Sequence, residues 1–462
     1  MGKENIVLQS ALFFLLLTFQ TYGQIQFTQH TITDSADGGT SVFAIDLDND
    51  TDIDVLSASF QDNKIAWYEN DGSQNFTTHV ISNSELGAIS VFAIDLDGDT
   101  DIDVLTSAND SHRIAWYEND GSQNFTFHVI SANVMSPYTV LAIDLDGDTD
   151  LDVLSASLDD NRIAWYENDG NENFSQHSIS VNAQHAVDVF ATDLDGDTDI
   201  DVFSASISDN KIAWYENDGN QNFTEHAISD SAMGAWSVYA IDLDGDTDVD
   251  VLTASVNDYK INWFENDGSQ NFAEHTIETL NNPRSVYALD MDGDSDLDIL
   301  ASGDGAITWN ENDGNSNFTT HFIFAQYGAW SLFAIDIDKD TDIDVLSAYL
   351  GNNKIHWFEN EGVNDIPIDN HQGIPADFQL YDNFPNPFNP KTNIAFDVAQ
   401  NSQVELRVYD VHGRQVTTLI NRQLPAGHYD STFNAEDLSS GVYFYQIRMG
   451  DFHAVKKMML IK

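Results

Sequence analysis

The chain of 462 residues contains no cysteine, so neither a disulfide framework nor a lipid-anchored amino-terminal cysteine is available to it. Basic residues are scarce as well: 17 Lys and Arg stand against 77 Asp and Glu. The imbalance is regional. Residues 24–362 hold 65 of the acids and 8 of the bases, which disfavours nucleic acid and anionic membrane as partners, because a phosphate-binding surface needs the opposite sign. Long apolar runs are also lacking. The stretch from Ala11 to Phe19 is too short to favour a membrane span, and no other segment is long enough. With Lys3 before it and Thr21-Tyr22-Gly23 after it, that stretch has the layout of a signal peptide over residues 1–23, leaving Gln24 as the new first residue. A Ser-His-Asp order, zinc-ligand spacing and a phosphate-binding glycine loop are all missing, which removes the commonest catalytic signatures.

What the chain has instead is one acidic loop, repeated. The run Asp46-Leu47-Asp48-Asn49-Asp50-Thr51-Asp52-Ile53-Asp54 has seven versions, each with aspartate at positions 1, 3, 5, 7 and 9. The first uses Asp46, Asp48, Asp50, Asp52 and Asp54, the second Asp95, Asp97, Asp99, Asp101 and Asp103, and the third Asp144, Asp146, Asp148, Asp150 and Asp152. The fourth uses Asp193, Asp195, Asp197, Asp199 and Asp201, and the fifth Asp242, Asp244, Asp246, Asp248 and Asp250. Asp290, Asp292, Asp294, Asp296 and Asp298 form the sixth, and Asp336, Asp338, Asp340, Asp342 and Asp344 the seventh. Carboxylates at ~5 Å repel by about 3 kcal/mol per pair at an effective dielectric of about 20. A compact loop of this kind needs a cation. Side chains at positions 1, 3, 5 and 9 with the carbonyl of position 7 would give the all-oxygen shell that Ca²⁺ accepts, whereas Mg²⁺ demands a stricter octahedron. Up to seven Ca²⁺ are expected. Glycine at position 4 permits the tight turn, Asn49 tolerates it in the first copy, and Lys339 makes the seventh site the doubtful one.

Successive first aspartates lie 49, 49, 49, 49, 48 and 46 residues apart, a period suited to four-stranded propeller blades. Within one unit, strands are expected at Ser90 to Leu96, Ile102 to Ala108, Arg113 to Asn119 and Asn124 to Ser131, with Asn119-Asp120-Gly121-Ser122 as a hairpin turn. The fourth strand carries Phe-x-x-His in six units, and the seventh unit lacks it. Phe27-Thr28-Gln29-His30, ahead of the first unit, is therefore expected to supply the missing strand and shut the ring. The expected fold class is all-β: a seven-bladed β-propeller over residues 24–362, followed by a small immunoglobulin-like β-sandwich.

The Asp-x-Asp-Gly-Asp-x-x-x-Asp loop, followed by an apolar strand, resembles the FG-GAP/VCBS repeats found also in integrin α-subunit propellers. The resemblance covers residues 25 to 362 and implies calcium in the loops between first and second strands. It implies no single activity, since relatives include adhesion receptors, lectin-like binders and some carbohydrate lyases or dehydratases. The recurring tryptophans (Trp67, Trp116, Trp165, Trp214, Trp263, Trp309 and Trp357) occupy one place in every unit and read as packing between sheets. The repeated histidine reads as a structural or surface residue.

Beyond Gly362 the composition changes. Residues 363–375 look like a linker, and residues 376–462 hold 8 Lys and Arg against 9 acids, with alternating runs that read as strands. Phe384-Pro385-Asn386-Pro387-Phe388-Asn389-Pro390, Val408 to Arg414, Pro425-Ala426-Gly427-His428, Leu438 to Tyr443 and Lys456 to Leu460 are together similar to the type A sorting domain of the type IX secretion system. That resemblance implies a Bacteroidetes-type bacterium, passage through the type IX machinery, and a secreted or outer cell-surface location, with Lys456 and Lys457 serving recognition by that machinery.

The repeats also point to function through their differences. Tyr138, His185, Trp236, Arg284, Tyr327 and Trp330 fall in blade-to-blade connections and each occurs in one or two units only, so they are the candidate ligand-binding residues, on the face opposite the acidic loops. A monomeric, non-catalytic binder of polysaccharide or of a surface protein is the expected function. The alternative is a calcium-dependent polysaccharide lyase or related carbohydrate-active enzyme using the basic pair His185 and Arg284; no other candidate catalytic residue stands out.

Overall fold

The computed structural model describes residues 25–325, 329–362 and 378–462, except 382, 384, 385, 387, 389, 401, 413, 425, 426, 430, 436, 437 and 451. The expected signal peptide, the expected linker and Tyr327 lie outside the described residues. The chain divides into two compact units, residues 26–362 and one built from the residues beyond the linker.

Short alternating segments separated by Gly, Asn and Asp turns give the first unit its strands. Among the described residues it consists of seven four-stranded antiparallel sheets. The first is Gly39–Ile45, Asp54–Ser59, Lys64–Asn70 and Phe76–Ser82, in that order from inside to outside. Each inner strand touches the inner strands of the sheets before and after it, and the seventh (Ser331–Ile335) touches both the sixth and the first, so the sheets form a closed ring. The closing sheet is composite. Phe27–Thr33 pairs antiparallel with Ile355–Asn360, with His30 opposite Trp357, the register in which His79 lies opposite Trp67. The amino-terminal strand thus completes the last blade of the propeller.

Apolar seams hold the blades to one another. The second strands are buried along their whole length, as expected for strands covered on both faces. Trp67 packs with Val91, Val104 and Tyr117 of the next blade, Trp165 with Val189, Val202 and Tyr215, and Trp357 with Val42, Val55 and Tyr68 across the closure. The tryptophans are no more than 4% exposed, so they are packing residues. On the axis side, Phe43 contacts Phe92 and Phe333, Tyr239 contacts Phe190 and Tyr287, and Tyr287 contacts Phe333. Leu141 holds the equivalent place in the third blade, and these seven side chains form one layer across the inside of the ring.

The second unit is a small β structure around a single apolar core that includes Phe396, Val404, Leu406, Tyr445, Ile447 and Met458. Its largest sheet runs in the order Gln415–Leu424, Ser402–Asp410, Gly441–Met449 and Phe452–Leu460. Asn386 clamps the final strand: its Nδ2 donates to the Lys457 carbonyl (3.3 Å) and its Oδ1 accepts from Met459 N–H (3.0 Å), while Phe388 forms a parallel bridge with Leu460.

Candidate functional site

Two sites lie at opposite ends of the same inner strands. The acidic loop follows the strand's last residue, and the other site gathers where the strand begins.

In the first loop, Asp46 Oδ1 accepts from Asp50 N–H (3.1 Å) and its Oδ2 from Thr51 N–H (2.9 Å), while Asp50 Oδ1 accepts from Asp52 N–H (2.8 Å). These bonds wind the chain so that positions 1, 3 and 5 each bring a carboxylate oxygen within 4.8 Å of the others, as in Asp46/Asp48/Asp50, Asp95/Asp97/Asp99, Asp193/Asp195/Asp197 and Asp242/Asp244/Asp246; in the third loop the group is Asp144, Asp146 and Asp152. Position 4 is left-handed (φ 78° at Gly98, 62° at Asn49, 65° at Lys339), so lysine adopts the turn that glycine makes elsewhere. Position 6 is left-handed as well, at φ 80° for Thr51 and 83° for Thr100, a costly conformation for a β-branched residue that surrounding contacts must hold.

Positions 7 and 9 make further contacts. Asp54 is fully buried; its Oδ2 accepts from Leu47 N–H (3.1 Å) and its Oδ1 from Asn70 N–H (2.8 Å), which staples the loop to the end of the third strand. Burial pushes this carboxyl up to about 7 in Asp54, Asp103, Asp152, Asp250 and Asp344, and to about 6 in Asp201 and Asp298. The carboxylate of Asp52 lies over Gly72, where a Cβ would overlap Oδ2, and the same fit recurs from Asp101 over Gly121 to Asp342 over Gly362. Position 3 is raised in all seven loops, first by burial and in most by the neighbouring carboxylates, to about 7 in Asp292 and about 6 in Asp338. Lys339 Nζ leaves its own loop and meets Asp52 Oδ1 (2.5 Å) and Thr51 Oγ1 (3.2 Å) of the first.

At the opposite end, a cavity of about 170 Å³ is lined by two residues from every blade, which places it on the ring axis. The outer layer is Thr40, Ile89, Tyr138, Val187, Trp236, Arg284 and Trp330; the inner layer is Ser41, Ser90, Thr139, Asp188, Ser237, Ser285 and Ser331. In the first five blades a register shift after the first strand residue creates the outer layer. Between Ala88 and Ser90, Pro137 and Thr139, and Ala235 and Ser237 the pairing skips one residue, a bulge that aims Ile89, Tyr138 and Trp236 at the axis. The sequence analysis assigned Tyr138, Trp236 and other candidates to loops. The inner strand in fact starts two residues earlier (Ala88–Ile94 against the expected Ser90), so Tyr138 and Trp236 belong to the strand itself, and Arg284 and Trp330 immediately precede theirs.

Four of the six candidate ligand-binding residues therefore meet. Trp236 lies edge-on to Tyr138 (5.6 Å, 89°) and to Trp330 (5.6 Å, 87°). The Arg284 guanidinium sits in the corner between the indoles, 4.2 Å from the centre of Trp236 and 3.9 Å from that of Trp330. Burial holds its pKa below the usual arginine range. His185 does not join them: it is exposed on a turn at φ 55°, where Gly87 and Gly234 stand in other blades, and its Nδ1 bonds Ser208 Oγ (2.5 Å). The basic pair His185 and Arg284 is thus not assembled at the cavity.

Sequence reasoning passed over Asp188, which replaces a serine or threonine in the inner layer. Its Oδ1 accepts from Val189 N–H (3.0 Å) and its Oδ2 from Val238 N–H (3.0 Å), and burial pushes its carboxyl up to about 6. Comparison of the seven Ser/Thr positions would have exposed it. The repeated histidine also gains a definite place: His79 stacks on Trp67 (4.6 Å, 23°) and meets Glu69 through Nε2 (2.7 Å), and every blade repeats this stack and pair.

The FG-GAP-like repeat model matches residues 46–106, 95–155, 144–204, 193–253, 242–301 and 290–347, each match running from one acidic loop through the next. A secretion system C-terminal sorting domain matches residues 382–462. It implies handling by the type IX machinery and secretion or cell-surface display in a Bacteroidetes-type bacterium. No helix among the described residues is long and apolar enough to cross a membrane. No curated protein matches the chain. Among solved structures, the chain is similar to an Agrocybe aegerita lectin described for specific recognition of non-reducing terminal N-acetylglucosamine, at 16% identity and a TM-score of 0.48, over 70% of this chain and 86% of that one. Matched from the first acidic loop into the seventh, the chain belongs to the FG-GAP-like repeat family and ends in a secretion system sorting domain.

Proposed function

We propose that this protein is an exported, non-catalytic binding module that takes a polysaccharide or a surface protein at the axial cavity, with calcium as a structural ion in its acidic loops. One observation carries the reading. Seven blades nearly identical in their loops, seams and outer strands differ sharply in one ring of positions, and at that ring Tyr138, Trp236, Arg284 and Trp330 converge on a single cavity. A rigid scaffold with one variable, aromatic-rich concavity is suited to recognition.

The acidic loops support a hard cation. Their donors are all oxygens, and positions 1, 3 and 5 converge. Position 7 has its side chain engaged elsewhere, which leaves its carbonyl for the ion; position 9 orients the loop through the two backbone donors it holds. Calcium would offset part of each loop's negative charge and tie each inner strand to its neighbour. The seventh loop is the weakest candidate, because lysine stands at its turn position, and the Lys339 ammonium bears on the first loop as well, through Asp52 and Thr51.

A glycan array run beside an ultraviolet assay for unsaturated uronate products tests the function. Binding without turnover, lost in Trp236→Ala or Trp330→Ala, is expected. Turnover would overturn the non-catalytic reading, and binding untouched by both variants would remove the axial cavity from it.

A further inference from the structure

Arg284 is the one basic residue among those lining the axial cavity, in a propeller where acids outnumber bases 65 to 8. Its guanidinium forms no ion pair, and Nη1 is buried without a hydrogen-bond partner. The indoles of Trp236 and Trp330 stabilise the charge through their faces, but a ring face offers no lone pair to the N–H fork. A buried donor left unmade is costly. Neither Asp304, whose charge acts on Arg284 without forming an ion pair with it, nor Asp188, whose carboxylate accepts from Val189 N–H and Val238 N–H, bonds the guanidinium. Nη1 of Arg284 is thus held in place toward a group that the described residues do not supply.

The chemistry of that group can be read from the walls. A guanidinium fork matches a carboxylate in shape and charge. Trp236, Trp330 and Tyr138 present apolar faces and edges suited to the C–H face of a sugar ring. Below them is a collar of hydroxyls: Ser41 Oγ and Ser90 Oγ accept from the Val91 and Val140 N–H groups of the next blade (3.2 and 3.5 Å), which leaves their O–H to donate into the cavity. Beneath the collar lies the layer from Phe43 to Phe333, whose aromatic side chains touch one another around the axis. The cavity is narrow: at about 170 Å³ it is smaller than the usual ligand pocket of about 300–1,000 Å³. It admits the end of a chain, one ring deep, and not its interior.

We propose that the axial cavity receives the terminal hexuronate of an acidic polysaccharide, with the carboxylate on Arg284 and the sugar ring against Trp236 and Trp330. This rests on the reading of the cavity as the binding site, and it specifies the ligand class. It also reconciles an acidic protein with an acidic ligand: the negative surface rejects internal carboxylates, and the terminal one meets the single, partly buried cation of the cavity.

The test is calorimetric titration of the full chain in calcium buffer with oligosaccharides ending in glucuronate, galacturonate, mannuronate or guluronate, each beside its carboxyl-reduced counterpart. At least one acidic member should bind, its reduced counterpart should bind at least about tenfold more weakly, and Arg284→Gln should lose that difference while Arg284→Lys keeps part of it. The acid-to-reduced comparison is made on unaltered protein, so it stands even if a variant fails to fold. Equal binding of acidic and reduced forms, lost in Trp236→Ala, would overturn the uronate and leave the cavity as the binding site. Uronate binding unaffected by Trp236→Ala, Trp330→Ala and Arg284→Gln alike would overturn both. No binding of any uronate, or displacement of it by a peptide through its free terminal carboxylate, would overturn the sugar class.

Discussion

His30 lies stacked on Trp357 at 4.5 Å and 26°, with its Nε2 2.6 Å from Glu359, 329 residues further along the chain. The same trio forms inside a single hairpin in the first blade, from His79, Trp67 and Glu69. The closure is therefore made of ordinary blade contacts and needs no special clasp. Removing residues 25–33 uncovers Trp357 and leaves Ile355–Asn360 as an open edge. The truncated protein should melt on the order of 10 °C lower and self-associate in light scattering, and a synthetic peptide of residues 25–33 should restore both. An unchanged melting temperature would show that the ring closes without this strand.

Glycines in the two turn types should respond differently to a methyl group. Gly98 and Gly72 both have positive φ (78° and 73°), but nothing lies near a Cβ at Gly98, whereas one at Gly72 overlaps Asp52. Gly98→Ala should cost about 1 kcal/mol from backbone strain alone, and Gly72→Ala about 2–3 kcal/mol because the carboxylate must also move. Urea unfolding of the two variants in parallel measures the difference; equal losses would mean that the Asp52 contact is not tight.

Chelation should loosen the propeller. A metal that binds only the folded state contributes about 2.7 kcal/mol per site at a hundredfold excess over its Kd, so EDTA should lower the melting temperature strongly, and added calcium should restore it. Lys339→Gly should add one strong site to the calcium stoichiometry, while losing the Lys339–Asp52 pair. A melting temperature indifferent to EDTA would remove calcium from the description.

Asp188 gives a pH dependence of unusual sign. Its folded pKa of about 6 lies above the ordinary aspartate value, because burial disfavours its charge. The folded state then binds the proton more tightly than the unfolded state. The contribution to stability is present at low pH, declines as pH rises through the window from about 4 to 6, and is absent above it. Relative to Asp188→Asn, the unaltered protein should therefore gain on the order of 2 kcal/mol between pH 7 and pH 4. Comparing the two proteins cancels the many other carboxylates; a difference that does not vary with pH would mean Asp188 titrates normally.

The sequence made the architecture legible because the repeat displays each rule seven times. Period, Phe-x-x-His and turn glycines all appear in multiple copies, and the orphaned Phe27-Thr28-Gln29-His30 could be matched to a gap. The cavity was only half legible. Tyr138, Trp236, Arg284 and Trp330 stood out as departures from the repeat, but a one-residue bulge is invisible in a pattern of alternating residues, so they looked like loop residues and their convergence went unseen. His185 departs from the repeat just as visibly and yet only fills a turn. Being unlike the other blades marks a residue as free to vary; three-dimensional placement decides whether that freedom is used.

The bulge at the head of each of the first five inner strands separates two kinds of position that a regular strand would couple. The residue it ejects toward the axis has no partner in the ladder, so its identity is not constrained by pairing with the next strand. Threonine, isoleucine, tyrosine, valine and tryptophan occupy that place in the first five blades, and Arg284 and Trp330 reach the same ring from just before the unbulged strands of the last two. The propeller is in this sense a holder with seven interchangeable slots, and its specificity can be rewritten one blade at a time while its stability stays where it was.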